Sequence, residues 1–330
     1  MPDLPRLRSL ITAFQVSAAV HVAADLGLSD LLAQGPRTLS DLAGATATHE
    51  ATLGRLLHAL STVGLYEERS DGTYATTDLG EGLRSDIPET LRPLARTVGT
   101  PTHWGAWQQL GHSVRTGENA FEAAHGVDVW THRADHPVEN EIFNDQMASR
   151  TAAVATAVAE AYDFSGLSSI VDVGGGRGVL LEAVLSRHPH LVGTVFDLPQ
   201  AVATEPISAA LAPRWSSMSG SFFEEVPDSD AYLLKSILHD WPDDRCVAIL
   251  RTLRRGLRDD GVVLLVEMVL DRPGYERAAA FSDLNMLVMP GGRERTQDEY
   301  AALFDAGGLR LTRVVDTDTH VSVIEARAAG

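Results

Sequence analysis

The sequence predicts an α/β protein: a doubly wound, Rossmann-like parallel sheet closed by a C-terminal antiparallel hairpin, preceded by a small helical domain of winged-helix type. Three observations carry this. After Gly166, short β-rich runs alternate with helical patterns, the signature of a parallel sheet. The last two β-rich runs, Leu309–Asp316 and His320–Ala326, have only a short link between them. They must pair antiparallel, because a parallel crossover needs a dozen or more residues. Within the first hundred residues, two helical stripes are followed by a strand, a tight turn and a strand.

In the N-terminal part, Leu10, Ile11, Phe14, Ala18, Val22 and Leu26 fall near helical spacing. Ala13, Val16, Ala19, Val20 and Ala23 fill much of the remaining circumference. A helix apolar on most sides needs more burial than its own small domain supplies, which predicts a subunit interface. Thr38 or Ser40 caps the next helix. Leu53, Leu56, Leu57, Leu60 and Val63 form the stripe of another, and Gly64 stops it. Residues 65–69, 70–72 and 73–76 read as strand, turn and strand, completing a winged helix-turn-helix. The helix in the reading position, His49 to Val63, carries Arg55 as its only permanent cation. Phosphate contacts dominate DNA affinity, so dimerisation is the expected use of this domain and nucleic acid is not an expected partner.

Composition agrees. With 27 basic and 45 acidic residues the net charge is −18, unfavourable for binding duplex DNA or an anionic membrane. A single cysteine, Cys246, excludes an internal disulfide and fits a reducing cytoplasm. No signal peptide is apparent, and no uninterrupted apolar run approaches the roughly 20 residues of a membrane span. Three segments are expected: 1–95 for dimerisation, 96–165 as connecting helices and 166–330 as the ligand-binding domain. The strands expected in the last are Ile170–Val173, Thr194–Phe196, Ala231–Leu238 and Val262–Val266, with helices at Leu180–Ser186 and Cys246–Leu257.

The loop after the first of these strands reads Asp172-Val-Gly-Gly-Gly-Arg-Gly. Glycines there allow positive φ and close backbone approach of a ligand at a helix N-terminus. The spacing decides which ligand. A dinucleotide loop requires glycine at its first, third and sixth positions; counting from Gly174, the sixth is Val179. Gly174, Gly176 and Gly178 are spaced differently, and the Gly-Lys-Ser/Thr of a phosphate loop is absent. About twenty residues on, Asp197 ends the second strand, placed to accept hydrogen bonds from vicinal ribose hydroxyls. A nucleoside without a recognised phosphate points to S-adenosylmethionine. A tight strand–helix turn alone would also use glycines, but it does not explain Asp197.

The strand Ala231–Leu238 leads into His239-Asp-Trp, and the following strand ends in Glu267. If these strands are neighbours, His239 and Glu267 stand together where open α/β sheets bind ligands. Imidazole, with a pKa near ~6.5, suits deprotonation of a phenol with a pKa near ~10. A neighbouring carboxylate would orient the ring, and Glu294 is a second candidate for that task. Read alone, a histidine–acid pair after a strand is as often a cap, and Asp240 is placed to cap the helix beginning near Pro242.

Val171-Asp-Val-Gly-Gly-Gly-Arg-Gly, His239-Asp-Trp and Gly291-Gly-Arg-Glu-Arg-Thr, in that order, resemble the plant caffeate and flavonoid O-methyltransferases and their bacterial relatives in natural-product pathways. The likeness spans nearly the whole chain. It implies a class I methyltransferase fold, a homodimer and methylation of a hydroxyl on a small aromatic molecule. It also implies His239 as base with Glu267 and Glu294 beside it, S-adenosylmethionine as donor, S-adenosylhomocysteine as product and no metal. By position, the resemblance puts Gly174, Gly176 and Gly178 along the methionine and sugar, and Asp197 on the ribose. Phe222 and Trp241 fall near the adenine, and Lys235, the only lysine, on the cofactor. Arg150 is placed to reach the cofactor carboxylate. Ser221 stands where the family usually has an aspartate contacting adenine. Phe143, Met147 and Met286 match acceptor-lining positions, as does Met289, where plant members often have asparagine.

Two other readings compete. A scaffold of this kind with drifted chemistry, decarboxylating or hydroxylating around a structural cofactor, would not need His239 beside Glu267. A winged-helix regulator would need more cations on its reading helix.

Overall fold

The computed structural model describes residues 2–329, which form two compact units. One comprises the residues up to Trp104 with Val138–Ser149; the other comprises Gly105–Pro137 with Arg150 onward. The helix Pro137–Ala161 contributes to both.

In the first unit the helix Leu4–Asp25 starts under Asp3, whose side chain accepts from the Arg6 amide. It packs through Ala23 and Ala24, and His21 Nδ1 lies 3.1 Å from the Ala95 carbonyl. Leu10, Ile11 and Phe14 are 62, 66 and 52 % exposed, as expected of a helix whose partner surface lies elsewhere. This helix is also long and apolar enough to cross a membrane, its mean hydropathy reaching 1.3 over 18 residues. Arg8, Gln15 and His21 interrupt its apolar character, so the expectation that no uninterrupted apolar run approaches that length holds beside this average. Thr38, not Ser40, caps the helix Leu39–Thr46 by accepting from Asp41 N. The next helix, Glu50–Thr62, buries Leu53, Leu57 and Leu60. Val63 follows it and is 44 % exposed, off the expected stripe. Strands β1 (Arg37–Thr38), β2 (Tyr66–Glu68) and β3 (Thr73–Thr76) form an antiparallel sheet of order β1-β3-β2. Two helices and this sheet give the expected winged-helix form. The two-residue β1 and the short helices Leu28–Leu32, Asp78–Glu81 and Arg92–Val98 were not foreseen.

The second unit is built on seven strands: β4 (Ser169–Val173), β5 (Val192–Asp197), β6 (Trp215–Ser219), β7 (Ser229–Lys235), β8 (Leu257–Glu267), β9 (Leu309–Asp316) and β10 (Ser322–Ala328). Their order is β6-β5-β4-β7-β8-β10-β9, and all neighbours are parallel except where β10 inserts antiparallel between β8 and β9. Both sheet faces are covered. One carries Ile170, Leu181, Val184, Leu233 and Leu264; the other carries Val171, Tyr232, Ile249, Leu253 and Phe304. Strands buried on both sides read as continuous apolar runs, which is why β4, β7 and β8 stood out. β6 did not, because Trp-Ser-Ser-Met-Ser on an edge has no apolar run.

The strand before His239 ends sooner than expected. β7 stops at Lys235, and Ser236 takes a left-handed conformation with φ +54°. Leu238–Asp240 then form one 3₁₀ turn. The helix Asp243–Gly256 begins after Pro242 with no side-chain cap. Asp240 is therefore not its cap, contrary to expectation, since it lies inside the preceding turn.

Candidate active site

The site assembles at the C-terminal ends of β4, β5, β7 and β8, on either side of the point where strand order reverses. After β4 the chain turns through Gly174, Gly176 and Gly178, at φ +71°, +53° and +75°. A side chain at Gly174 would strike Ile237, and one at Gly178 would press on Val195. At Gly176 the nearest atom to an added Cβ is Asp197 Oδ2, 3.9 Å away, so the backbone there is bare. Gly178 then opens the helix Val179–Arg187. Asp197 bridges the two strand ends, accepting from Gly176 N at 2.8 Å through one oxygen and from Leu198 N at 2.7 Å through the other. Each oxygen keeps a lone pair for a ribose hydroxyl. Burial raises the Asp197 pKa. Asp172, beneath the loop, is pushed up to about 7 by burial and by Asp197, and its Oδ2 has no hydrogen-bond partner.

Next to this loop lies Lys235, half-buried at the end of β7, with Nζ 3.3 Å from Ser236 Oγ. Burial and the charge of Arg150 lower its pKa to about 8. The same Arg150 charge acts on Asp240 and Glu294, so the guanidinium belongs to this polar group. Phe222, Phe223 and Trp241 form an aromatic cluster, with Trp241 edge-on to Phe223 at 4.9 Å and stacked on Trp130 at 5.9 Å. Ser221 Oγ accepts from Phe223 N at 3.3 Å, a turn contact that occupies part of its capacity. A bare glycine turn, a bidentate carboxylate, a partnerless buried oxygen and an aromatic wall fit an adenosyl group.

His239 is 5 % exposed. Its Nδ1 is 3.0 Å from Glu294 Oε1 and 3.5 Å from Glu267 Oε2; its Nε2 is 3.6 Å from Asp240 Oδ1. Sequence reasoning put Glu267 first beside the imidazole, whereas in the structure Glu294 is the nearer carboxylate. Glu267 Oε1 is already held by the amides of Ile237 and Leu238, at 3.0 and 2.9 Å. That capture ends β7 and forms the turn. Glu294 Oε1 also accepts from Ser282 Oγ at 2.6 Å. Burial alone would lower the His239 pKa, but Glu267, Glu294 and Asp240 outweigh it and raise it to about 9. Although burial opposes it, the charge of His239 holds the Glu294 carboxyl below its usual range. The ligating atoms of His239, Glu267 and Glu294 lie within 4.8 Å of one another, a donor set that fits a proton or a divalent cation.

Sequence reasoning missed three contributors. Gly292 packs on the turn so closely that an added Cβ would lie 2.1 Å from the His239 carbonyl oxygen. Arg295, fully buried, binds the carbonyls of Leu238 and Trp241. Asp240 faces Nε2. Only the motif spanning 291–296 hinted at the first two. Met286 is buried on the helix Glu276–Val288. Met289 instead joins a cluster with Ala106, Phe121, Val129 and Val288, at odds with a purely acceptor-lining role. Phe143 and Met147 belong to the other unit.

The seven-stranded order with one inserted antiparallel strand, and the glycine turn joined to Asp197, define a class I methyltransferase using S-adenosylmethionine. Within that class, the chain belongs to the O-methyltransferase family: the O-methyltransferase domain matches residues 107–310 and the O-methyltransferase dimerisation domain residues 9–86. A mitomycin biosynthesis 6-O-methyltransferase of Streptomyces lavendulae is 42 % identical over 94 % of this chain and 90 % of its own length. A phenazine O-methyltransferase of Lysobacter antibioticus is 39 % identical over 97 % and 95 %. Among solved structures, an O-methyltransferase from neocarzinostatin biosynthesis, bound to S-adenosyl-L-homocysteine and 1,4-dihydroxy-2-naphthoic acid, matches with a TM-score of 0.80. It is 35 % identical, covering 95 % of this chain and 96 % of that one. The chain is thus an S-adenosylmethionine-dependent O-methyltransferase carrying the family's dimerisation domain.

Proposed function

We propose that this enzyme methylates a phenolic hydroxyl of a small aromatic natural-product intermediate, with His239 Nε2 removing the proton. The observation that carries the reading is the imidazole held at Nδ1 by Glu294, with Glu267 behind it, at the end of the strand beside the cofactor turn. Bound S-adenosylmethionine supplies an electrophilic methyl group. Glu294 keeps a proton on Nδ1, which leaves the Nε2 lone pair for the acceptor hydroxyl. As Nε2 gains the phenol proton, Glu267, Glu294 and Asp240 stabilise the imidazolium. The relatives named above act on a phenazine and in mitomycin biosynthesis, and the naphthoate was solved in the third, which supports an aromatic acceptor.

On this reading Gly174, Gly176 and Gly178 flank the methionine and sugar, and Asp197 binds the ribose diol. Lys235 contacts the cofactor and Arg150 faces its carboxylate, while Phe222, Trp241 and Ser221 meet the adenine. Met286 lines the acceptor; Met289, Phe143 and Met147 are assigned there by resemblance alone. The functional division is 1–95, 96–165 and 166–330, in a cytoplasmic homodimer joined through the exposed face of Leu4–Asp25. The test is incubation with methyl-labelled S-adenosylmethionine and a panel of hydroxyarenes and matched arylamines, read by mass spectrometry. Label on phenolic oxygen in step with S-adenosylhomocysteine supports the reading. Cofactor turnover without O-methyl product, or labelling of amines alone, overturns it.

A further inference from the structure

One strand of chain grips the His239 turn from three directions. Gly292 lies against its backbone, where no Cβ fits, and Glu294 binds the imidazole at Nδ1. Arg295 reaches both carbonyls that bracket the histidine: NH1 donates to Leu238 O at 3.0 Å and NH2 to Trp241 O at 2.8 Å. The guanidinium is 0 % exposed and is completed by two bonds to Asp243 Oδ1, at 3.1 and 2.8 Å, and one to Arg293 O at 3.2 Å. All its donor nitrogens are used. The Cys246 thiol has a single proton to share between the same two carbonyls, 3.1 and 3.3 Å from Sγ, and cannot replace this charged fork.

A buried arginine is expensive unless every donor is satisfied, and apolar packing often serves stability as well. Here its donors go to the Leu238 and Trp241 carbonyls, at the two ends of the turn that carries His239. Asp243, on the first turn of the following helix, anchors the fork from outside. We propose that Arg295, locked by Asp243, is a positioning residue for methyl transfer, fixing the turn that aims His239 Nε2 at the acceptor hydroxyl. The proposal rests on His239 being the base.

The experiment compares wild type with Arg295→Lys and Asp243→Asn, the second disturbing only the half-exposed end of the clamp. The readouts are kcat and KM across pH for whichever hydroxyarene of that panel is methylated fastest, and S-adenosylhomocysteine affinity by calorimetry. A misaimed base costs up to about a hundredfold in kcat, so Arg295→Lys is expected near that loss and Asp243→Asn shows a smaller one. Cofactor affinity falls far less than kcat, because the clamp reaches the cofactor wall only through the Trp241 carbonyl and touches no residue of the glycine turn. The acid limb of the kcat profile moves to lower pH as the Nδ1–Glu294 contact loosens. Folded variants with wild-type kcat and an unmoved limb overturn the proposal, as does loss of cofactor binding in proportion to kcat. If Arg295→Lys fails to fold, Asp243→Asn decides alone. His239→Ala, run in parallel, separates the two claims: full turnover there defeats the base assignment itself, whereas a dead His239→Ala beside unaffected clamp variants defeats only this inference.

Discussion

His239 and Glu267 meet through the backbone more than through their side chains: one Glu267 oxygen holds the amides of Ile237 and Leu238, while the other stands 3.5 Å from His239 Nδ1. Glu294, at 3.0 Å, is the imidazole's hydrogen-bond partner. The two carboxylates thus divide the work, one forming the turn and the other setting the ring.

That division makes a pH prediction. With His239 raised to about 9 in the free protein, the base is protonated at neutral pH and must lose that proton to act. Activity therefore rises with pH along a limb set by His239. Glu294→Gln removes one of the charges that raise it, so the limb moves to lower pH, with a lower plateau because the ring loses its orienting partner. The kcat/KM profile between pH 6 and 10 checks this, and an unmoved limb contradicts it. The stability side has a matching sign. A pKa raised on folding gives a contribution complete below His239's ordinary 6.5 and lost as pH rises through about 9.

Asp197→Ala should weaken S-adenosylhomocysteine binding by about tenfold to a hundredfold, the worth of one or two hydrogen bonds to a charged group. Calorimetry measures it. Gly176 N would also lose its 2.8 Å partner, so the glycine turn is expected to loosen with it.

Gly292→Ala puts a methyl group 2.1 Å from the His239 carbonyl oxygen and 2.4 Å from the Asp240 carbonyl carbon, against backbone that cannot swing aside. A loss of about 1–3 kcal/mol in stability is expected from such overpacking. Denaturant titration reads that loss, and turnover should fall further than stability alone explains. Gly274→Ala, where nothing lies within 4 Å but φ is +91°, is the control for backbone strain without a clash.

Leu10→Asp with Ile11→Asp places two charges on the exposed apolar face of the first helix. If that face joins two copies of the chain, light scattering will show a monomer where the wild type shows a dimer.

The parts legible in the sequence were those with local causes. The glycine spacing exposed the cofactor turn because positive φ and a bare backbone demand glycine, and doubly buried strands showed as apolar runs. Thr38, Gly64 and the hairpin around Asp71 announced themselves by capping and turn chemistry. What escaped depends on partners distant in the chain. β7 ends at Lys235 because Glu267, some thirty residues later, takes the next amides. Arg295 was invisible in an arginine-rich chain, since only the fold shows which arginine is buried. Asp240 followed helix-cap statistics until the 3₁₀ turn placed it opposite Nε2.

The most direct test of the central claim is the rate of methyl transfer to a phenol in His239→Ala, measured in a single turnover with enzyme saturated by S-adenosylmethionine. Loss of general-base catalysis predicts a fall of about a hundredfold to ten-thousandfold with cofactor affinity largely unchanged. A wild-type rate in the folded variant would contradict the account.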